Sequence, residues 1–396
     1  MFLNSFEVKF SHPSELPQKP LLSIICDAFD QSEGEDVKAA FLVSDSGDDR
    51  LTAVTVGEQK KIYGVAFAKQ TTITCRGAEL SALTVGAVAV ARSQQGRGIG
   101  KTILAGLDAL AKALSIDVIY LQGIPNFYEK FGYIPFLPRT KIQIASKSIR
   151  KSSLKINIRT ATHADKQELA QIYESMTTDV QGAAKRTEAD WGWLLGPASR
   201  SKYFYSPKIV EVENEVVGYF CQDRKTLTRV REIGYKQSHE AISSVLAAIK
   251  DATSDCDEAC IEIMTWFDSP LHRHTTCRHD SSFVELSQRS GGMLIKIVDA
   301  TQKIRALVID AVVGARKEVL LEQKGLRLEI VSGGEKLSLE SRYLAVWLFG
   351  IIPISDLMVT QSTVQCQESS RASLMSDLDD QEDLRRPTFI FQGDNL

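Results

Sequence analysis

The sequence has no long apolar run, no surplus of positive charge and few cysteines. Its longest apolar run, Tyr343 to Ile354, is far shorter than the roughly 20 residues of a membrane-spanning helix. The first residues lack the basic and apolar regions of a signal peptide. A formal net charge of −3 gives no chain-wide positive field to attract nucleic acid or anionic membranes. We therefore expect no signal peptide, no membrane partner and no nucleic-acid partner.

The seven cysteines are odd in number and scattered, which fits reduced thiols better than a disulfide framework. We therefore expect a cytoplasmic protein. Hydrophobic residues make up 43% and charged residues 24% of the 396 residues, which excludes the disordered, collagen-like and disulfide-scaffold classes. The length predicts two or three domains.

The first third of the chain alternates strand and helix patterns. Ala78 to Ala91 is a long apolar strand, and Val118 to Gln122 is a short buried one. Between them an apolar residue recurs every three or four positions, as on one face of a helix: Ile103, Leu104, Leu107, Leu110 and Leu114. These patterns predict a mixed α and β fold.

The opening pattern returns after a serine- and lysine-rich stretch at 146–155, which we interpret as a linker. Lys9 to Leu16 resembles Arg159 to Asp165, and each leads into an amphipathic helix. Lys61 to Val65 resembles Glu215 to Tyr219, and each follows a polar turn. The sequence thus predicts an internal duplication. A third segment, with a helix at 300–313 and a hairpin around 332–334, begins near residue 291.

A glycine cluster stands between the long strand and the helix. Gly96, Gly98 and Gly100 alternate with other residues at the start of the helix, and three alternating glycines exceed what a tight turn requires. A helix N-terminus presents unpaired N–H groups and the positive end of the helix dipole, and glycine lets a ligand approach the backbone closely. The cluster therefore predicts a phosphate site, whereas the simpler alternative is a turn without a ligand.

Two well-known phosphate loops do not fit the spacing. A Walker A loop ending in Gly100-Lys101-Thr102 would need glycine at the position of Gln95, and the next strand ends in Gln122 rather than in an aspartate. A Rossmann fingerprint needs G-x-G-x-x-G, but the chain has G-x-G-x-G from Gly96 to Gly100. Both loops are excluded.

Gln95 to Gly100 instead resembles the Q/R-x-x-G-x-G/A loop of the GNAT superfamily of N-acetyltransferases. Phe127 to Tyr133 resembles the [FY]-Y-x-x-x-G-[FY] signature of that family. The resemblance implies acetyl-coenzyme A (acetyl-CoA) as cosubstrate, with its pantetheine arm along the strand and its pyrophosphate in the loop. The implied binding residues are Val88, Ala89, Val90, Gln95, Gly96, Arg97, Gly98, Ile99, Gly100, Lys101 and Gly123.

The order of the three segments resembles the enhanced intracellular survival (Eis) family. This implies an α+β fold (α/β mixed) of tandem GNAT domains followed by a sterol-carrier-protein-like domain. The expected domains are a catalytic one at 1–151, a degenerate GNAT-like one at 152–290 and the sterol-carrier-like one at 291–396. Arg231 to His239 stands where a second glycine loop should be and cannot supply the close backbone approach. Family members are hexamers, so we expect a homo-oligomer.

The resemblance also implies the catalytic groups. Tyr128 would be the general acid, and the carboxylate of Leu396 would be the general base, brought to the first domain by an apolar tail at Phe389 to Phe391. The family commonly ends in an aromatic residue, from which Leu396 departs. The acceptor amine must lose a proton and the thiolate must gain one, so two such groups are needed. The plainer interpretation of Tyr128 is an aromatic core residue.

The expected acceptor is a primary amine of a polyamine, an aminoglycoside-like compound or a lysine, by resemblance only. The alternative function is a non-catalytic regulatory protein that binds coenzyme A (CoA) or lipid. His272 to His279 holds four possible metal ligands, but their spacing matches no common zinc pattern. We expect a polar surface loop there and no metal site.

Overall fold

The computed structural model describes residues 2–3, 6–29, 50–58, 61–123, 127–137, 139–196, 205–254, 256, 259–266, 268–286, 293–298, 302–313, 319–324, 327–332, 335–349 and 365–366. Within these residues the chain forms three β-sheets with helices packed on them. None of the helices described is long and apolar enough to cross a membrane.

The first sheet is built mainly from the N-terminal third. Its elements are β1 (Phe2–Leu3), β2 (Phe6–Ser11), α1 (Gln18–Ala28), β3 (Leu51–Glu58), β4 (Lys61–Cys75), β5 (Ala78–Val90), α2 (Ile99–Ala113), β6 (Val118–Gln122) and β7 (Ile134–Leu137). Neighbouring strands from β1 to β5 pair antiparallel, and β6 pairs parallel with β5. Ile103, Leu104 and Leu107 of α2 are buried, as the apolar pattern predicts. Leu21 and Ile25 of α1 belong to a second cluster with Phe67.

The second sheet repeats this succession of elements. They are β8 (Arg139–Ala145), β9 (Ile156–Thr160), α3 (Lys166–Thr177), α4 (Glu188–Leu194), β10 (Lys208–Val212), β11 (Glu215–Gln222), β12 (Arg229–Tyr235), α5 (His239–Ala252), β13 (Cys260–Met264), α6 (Pro270–Arg278) and β14 (Ser281–Leu286). Strands β10, β11 and β12 are antiparallel, and β13 pairs parallel with β12. This matches the arrangement of β3, β4, β5 and β6.

The repeated sequence patterns have a physical basis in this arrangement. A Cβ on Gly64 of β4 would lie 2.8 Å from Cγ2 of Ile99, and one on Gly218 of β11 would lie 2.6 Å from Cγ2 of Val245. In both sheets a helix therefore packs directly on the strand at its glycine. Capping boxes, at His12 before α1 and at Thr162 before α3, complete the correspondence.

Each sheet also contains a strand from beyond an expected domain boundary. β8 precedes residue 151 but lies in the second sheet, between β13 and β14. β15 (Met293–Ile297) follows residue 290 but lies in the first sheet, between β6 and β7. Lys296 of β15 pairs with Asp108 of α2 at 2.6 Å. Each of the two sheets thus combines strands that are far apart in the sequence. The domain boundaries stay predictions.

The third sheet lies in the C-terminal segment. Its elements are α7 (Gln302–Val313), β16 (Val319–Lys324), β17 (Arg327–Ser332), β18 (Glu335–Glu340), α8 (Ser341–Leu348) and β19 (Gln365–Cys366). The four strands are antiparallel and follow chain order, and β17 and β18 form the predicted hairpin. The sterol-carrier-like character of this segment stays a prediction.

The prediction of a polar surface loop at 272–279 is wrong. Residues Pro270–Arg278 form α6, which begins with a proline and is capped by the hydroxyl of Ser269. His274 is 1% exposed and its Nδ1 lies 3.1 Å from Nδ1 of His239 on α5. The helix therefore packs on α5 through a polar side chain. Its sequence shows no apolar stripe from which a helix could be predicted.

Candidate active site

A gap between β5 and β6 forms the centre of the candidate site. The two strands pair from Ala82 with Val118 as far as Val85 with Leu121. β5 then continues to Val90, whereas β6 ends at Gln122. In the described residues no pairing between the two strands is found beyond Val85. The carboxyl end of β5 thus presents a strand edge to which an extended ligand can bind.

A β-bulge turns β5 at this point. Val65 of β4 pairs with Ala89, but Phe67 pairs with Gly86, so β5 has an extra residue at the break in register. Ala87 there adopts a φ of +50°. Beyond the bulge, Val88 and Val90 pack in the same cluster as Tyr128, and Ala89 is buried in the α1 cluster on the opposite face. Ala89 can therefore contribute only its backbone to the gap.

The glycine cluster forms an exposed loop between β5 and α2. Gly96 and Gly98 have φ values of +77° and +82°, in the left-handed region that favours glycine. Gly98 is the N-cap of α2, and no side chain caps the helix. The N–H groups of the first helical turn are therefore available to an anion. Lys101 is exposed on that turn, whereas Ile99 is buried beneath it.

Contacts of Arg92, Gln95 and Arg97 hold the loop. The backbone N–H of Arg92 donates to a carboxylate oxygen of Asp27 at 2.6 Å, just after β5. The Gln95 side-chain amide donates to the carbonyl of Val90 at 3.2 Å. Arg97 lies 3.6 Å from Glu58 and stacks 5.3 Å from the ring of Phe6. Asp27 was not predicted, because it is 65 positions before Arg92 and no local pattern links them.

Tyr128 lies within an aromatic cluster beside the gap. It begins a short 3-10 helix that ends at Phe131 and is closed by Gly132 in the left-handed conformation. Its ring packs edge-on against Phe127 at 5.0 Å and Tyr133 at 5.9 Å. Burial raises the pKa of Tyr128 to about 12. The side chain of Tyr128 is 7% exposed.

The aromatic cluster approaches the gap and the loop closely at two glycines. A Cβ on Gly123, just after β6, would lie 2.4 Å from Cδ2 of Tyr128. A Cβ on Gly100 of α2 would lie 3.4 Å from Cζ of Phe127. The two sequence motifs are therefore in contact, although about 30 residues separate them.

The structure brings ten of the eleven predicted coenzyme residues to the gap and its loop, and the eleventh, Gly123, to the Tyr128 ring. Arg97 is paired with Glu58 in this arrangement. Leu396, the predicted base, lies outside the described residues. Ligand roles for all of these residues stay predictions.

The corresponding place in the second sheet is closed. β12 and β13 also separate after a short parallel pairing at Val230 and Ile263. However, the backbone N–H of Leu271 at the start of α6 donates to the hydroxyl of Tyr235 at the end of β12, at 3.1 Å. The hydroxyl of Ser238 caps α5 by accepting from Ala241, so a side chain occupies the place that is open at α2.

No group of three or more His, Cys, Asp or Glu side chains arranged to hold a metal ion occurs among the described residues. His274 of α6 instead contacts His279, just after the helix, and His239 at the start of α5.

Residues 51–135 match the family model of the acetyltransferase (GNAT) domain. The match runs from β3 into β7 and includes the β5 edge, the glycine loop and Tyr128. This part of the chain is therefore similar to the acetyltransferase (GNAT) domain.

Solved structures share the fold over almost the whole chain. A conserved protein of unknown function from Enterococcus faecalis V583, described as a probable N-acyltransferase, has 14% sequence identity and a TM-score of 0.69, covering 98% of this chain and 99% of its own. A GCN5-related N-acetyltransferase from Anabaena variabilis has 15% identity and a TM-score of 0.65, covering 94% and 97%.

Eis1 from Mycobacterium abscessus has 15% identity and a TM-score of 0.60, covering 94% of this chain and 96% of its own. No curated protein sequence matches the chain. The resemblance drawn from the sequence is confirmed: residues 51–135 match the GNAT domain model, and the chain shares its fold with Eis1 and with a solved GCN5-related N-acetyltransferase.

Proposed function

We propose that this protein is an acetyl-CoA-dependent N-acetyltransferase that acts on a primary amine. The observation that supports the proposal most is the meeting of three features at one place. These are the open edge of β5, the uncapped start of α2 and the buried side chain of Tyr128. The second sheet has the same strand divergence but closes it, so the opening is specific to the first sheet.

The residues fit acetyl-CoA as a substrate. The pyrophosphate would bind the N–H groups of Gly98 to Lys101, where the helix dipole favours negative charge. The pantetheine amides would pair with the free backbone edge of Val88 to Val90, as a strand does. Arg97 would exchange its exposed pairing with Glu58 for a phosphate, since such surface ion pairs contribute little.

In the reaction the amine nitrogen attacks the thioester carbon, a C–N bond forms, and the C–S bond breaks. A backbone N–H of Val88 to Val90 would hold the developing oxyanion. Because burial raises the pKa of Tyr128 to about 12, its hydroxyl stays protonated and can donate to the departing sulfur. A thiol, with a pKa of about 8.5, is a stronger acid than the Tyr128 hydroxyl. The main contribution expected of Tyr128 is therefore a hydrogen bond that stabilises the thiolate.

The base removes a proton from the amine. The carboxylate of Leu396 is our candidate, as the resemblance implies. A terminal carboxyl group with an ordinary pKa of about 3.5 is a weak base, so it needs burial or a relaying water to act. The acceptor class, a polyamine, an aminoglycoside-like compound or a lysine, and a homo-oligomeric state belong to the same proposal.

We further propose that the second sheet and its helices are a GNAT-like unit without a coenzyme site, and that the third sheet belongs to a sterol-carrier-like domain. The matching order of β3 to β6 and β10 to β13 supports the first statement. The capped start of α5 supports the absence of a coenzyme site there.

Thiol release from acetyl-CoA, measured against a panel of amines, tests the activity. We expect Tyr128→Phe to lower kcat by about 10²- to 10⁴-fold while the dissociation constant for CoA is unchanged. Tyr133→Phe is the matched control. Tyr133 lies in the same cluster, and its buried hydroxyl makes no hydrogen bond with the described residues. This variant should keep wild-type activity.

A chain extended by a few residues past Leu396 tests the base. Loss of turnover in the extended chain supports the carboxylate, and full activity places the base elsewhere. Tight CoA binding without turnover on any amine would contradict the enzyme and favour the regulatory CoA-binding protein.

A further inference from the structure

The hairpin of β4 and β5 extends past the first sheet and contacts both other parts of the chain. The N–H of Thr74 donates to the carbonyl of Ala183, and Gly182 donates back to Thr74. Ile73 and Ala184 form an antiparallel bridge between them. The tip of the hairpin is thus fixed to the loop that precedes α4.

The turn at this tip has an unusual residue. Cys75 pairs with Ala78, so Arg76 and Gly77 are the two central residues, with φ values of +50° and +78°. Positive φ at both positions defines a type I′ turn, in which asparagine, aspartate or glycine is preferred at the first position. An arginine is disfavoured there, and a disfavoured conformation that persists calls for a compensating contact.

Arg76 makes that contact with the last turn of α8. Its Nε donates to the carbonyl of Leu348 at 2.9 Å and its Nη2 donates to the carbonyl of Trp347 at 3.2 Å. The guanidinium also lies 5.5 Å from the centre of the Trp347 ring. The final carbonyls of a helix lack hydrogen-bond donors within the helix and carry partial negative charge. A guanidinium supplies both the donors and a positive charge.

The backbone of the same residue joins the second part of the chain. The N–H of Arg76 donates to the side-chain oxygen of Gln181 at 2.7 Å. Cys75 and Leu348 are buried at this junction, and the thiol lies 3.6 Å from the Leu348 carbonyl. One residue therefore connects the first sheet, the loop before α4 and the end of α8.

We infer that Arg76 is a positioning residue that clamps the C-terminal segment to the first sheet. Its guanidinium fixes the end of α8, and hence the point from which the rest of the C-terminal segment continues. A second part rests on the proposed function, in which the C-terminal carboxylate is the base: the clamp supports the chemical step although Arg76 does not touch a substrate.

Arg76→Asn tests the clamp without disturbing the turn, because asparagine is favoured at this turn position. We expect the amides of 341–349 to exchange with deuterium at least about tenfold faster in this variant, since local opening becomes easier. We also expect kcat to fall about tenfold or more while the dissociation constant for CoA stays the same.

Glu213→Asn is the matched control. Glu213 holds the same position in the turn between β10 and β11, with a φ of +52°, and Val212 pairs with Glu215 across it. This variant should leave exchange at α8 and turnover unchanged. Arg76→Lys keeps the charge but cannot reach two carbonyls with a planar fork, so it should restore part of the protection.

Wild-type exchange of α8 in Arg76→Asn would overturn the clamp. Faster exchange with unchanged kcat would overturn the second part, the link to the base. If the wild-type chain acetylates no amine, the proposed function fails, but the exchange measurement still decides the clamp.

Discussion

Two glycines of the candidate active site are needed for different physical reasons. A Cβ on Gly98 would meet no atom within 4 Å, so this position needs glycine for its backbone conformation. A Cβ on Gly123 would lie 2.4 Å from the Tyr128 ring and 2.8 Å from Leu121, so this position needs the space. Gly98 therefore shapes the loop, whereas Gly123 makes room for the proposed acid.

We expect Gly123→Ala to displace the Tyr128 ring. A shift of about 1 Å in a catalytic group can cost about 100-fold in rate, so kcat should fall by about 10- to 100-fold. The extra methyl group also overpacks the core, which should lower the free energy of unfolding by about 1–3 kcal/mol. Steady-state kinetics and urea denaturation measure the two effects.

Gly192→Ala provides the comparison. Gly192 lies inside α4 with open space around it, so alanine there should raise the free energy of unfolding by about 0.5–1 kcal/mol and leave kcat unchanged. Wild-type kcat in Gly123→Ala would show that the position of the Tyr128 ring does not depend on this space.

At the scale of elements, α2 and α5 hold corresponding places but begin differently. α2 starts after an exposed loop, 91–98, with a glycine N-cap, and α5 starts after only residues 236–238 with a serine cap. α6 then packs against α5 through His274, whose Nδ1 lies 3.1 Å from Nδ1 of His239 and whose Nε2 lies 3.3 Å from Ser243. In the second sheet, this helix contact and the serine cap lie at the place that corresponds to the open start of α2 in the first sheet.

The contact makes stability depend on pH. Burial, with His279, Arg278 and His239 nearby, lowers the pKa of His274 to about 4. Because the folded-state pKa lies below the unfolded value of about 6.5, the unfolded chain binds the proton preferentially. The stabilisation is therefore complete above about pH 6.5 and is lost as the pH falls toward 4. We expect a loss on the order of 2 kcal/mol between pH 7.5 and pH 5 in denaturation experiments.

His274→Asn removes this titration. This variant should be less stable than the wild type at pH 7.5, but its free energy of unfolding should fall less on acidification. His163→Asn, at an exposed position, should keep the wild-type pH dependence. If the stability of His274→Asn falls on acidification as much as that of the wild type, other groups cause the pH dependence.

At the scale of the whole molecule, exchanged strands join the parts of the chain. β15 places the buried side chains of Leu294, Ile295 and Ile297 in the first sheet, between β6 and β7. Full burial of three such side chains stabilises by roughly 5–9 kcal/mol, which is comparable with the whole stability of a typical domain. The N-terminal part therefore depends on residues that are almost two hundred positions away.

A chain that ends after residue 290 should fail to form a stable first sheet. β6 and β7 would lose the strand between them, so we expect no cooperative thermal transition for that sheet and CoA binding at least about tenfold weaker. Calorimetry and CoA titration measure both. A chain that ends after Cys366 keeps every described element and serves as the control. A fragment 1–290 with the melting curve of the control would show that β15 is dispensable.

The sequence by itself predicted the features that are local. The apolar stripe of α2, the glycine loop after β5 and the aromatic motif around Tyr128 each depend on neighbours within a few residues, which a pattern can display. The same holds for the paired patterns at Gly64 and Gly218, where a helix must approach a strand closely.

Only the tertiary structure decided which strands pair, because nothing in the sequences of β8 and β15 shows which sheet edge each will join. It also placed Asp27 against Arg92, Gly123 beneath the ring of Tyr128 and Arg76 at the end of α8. α6 escaped prediction because its buried residues, Leu271, His274 and Thr275, form no apolar stripe. These contacts join residues distant in sequence, and their geometry exists only once the sheets have assembled.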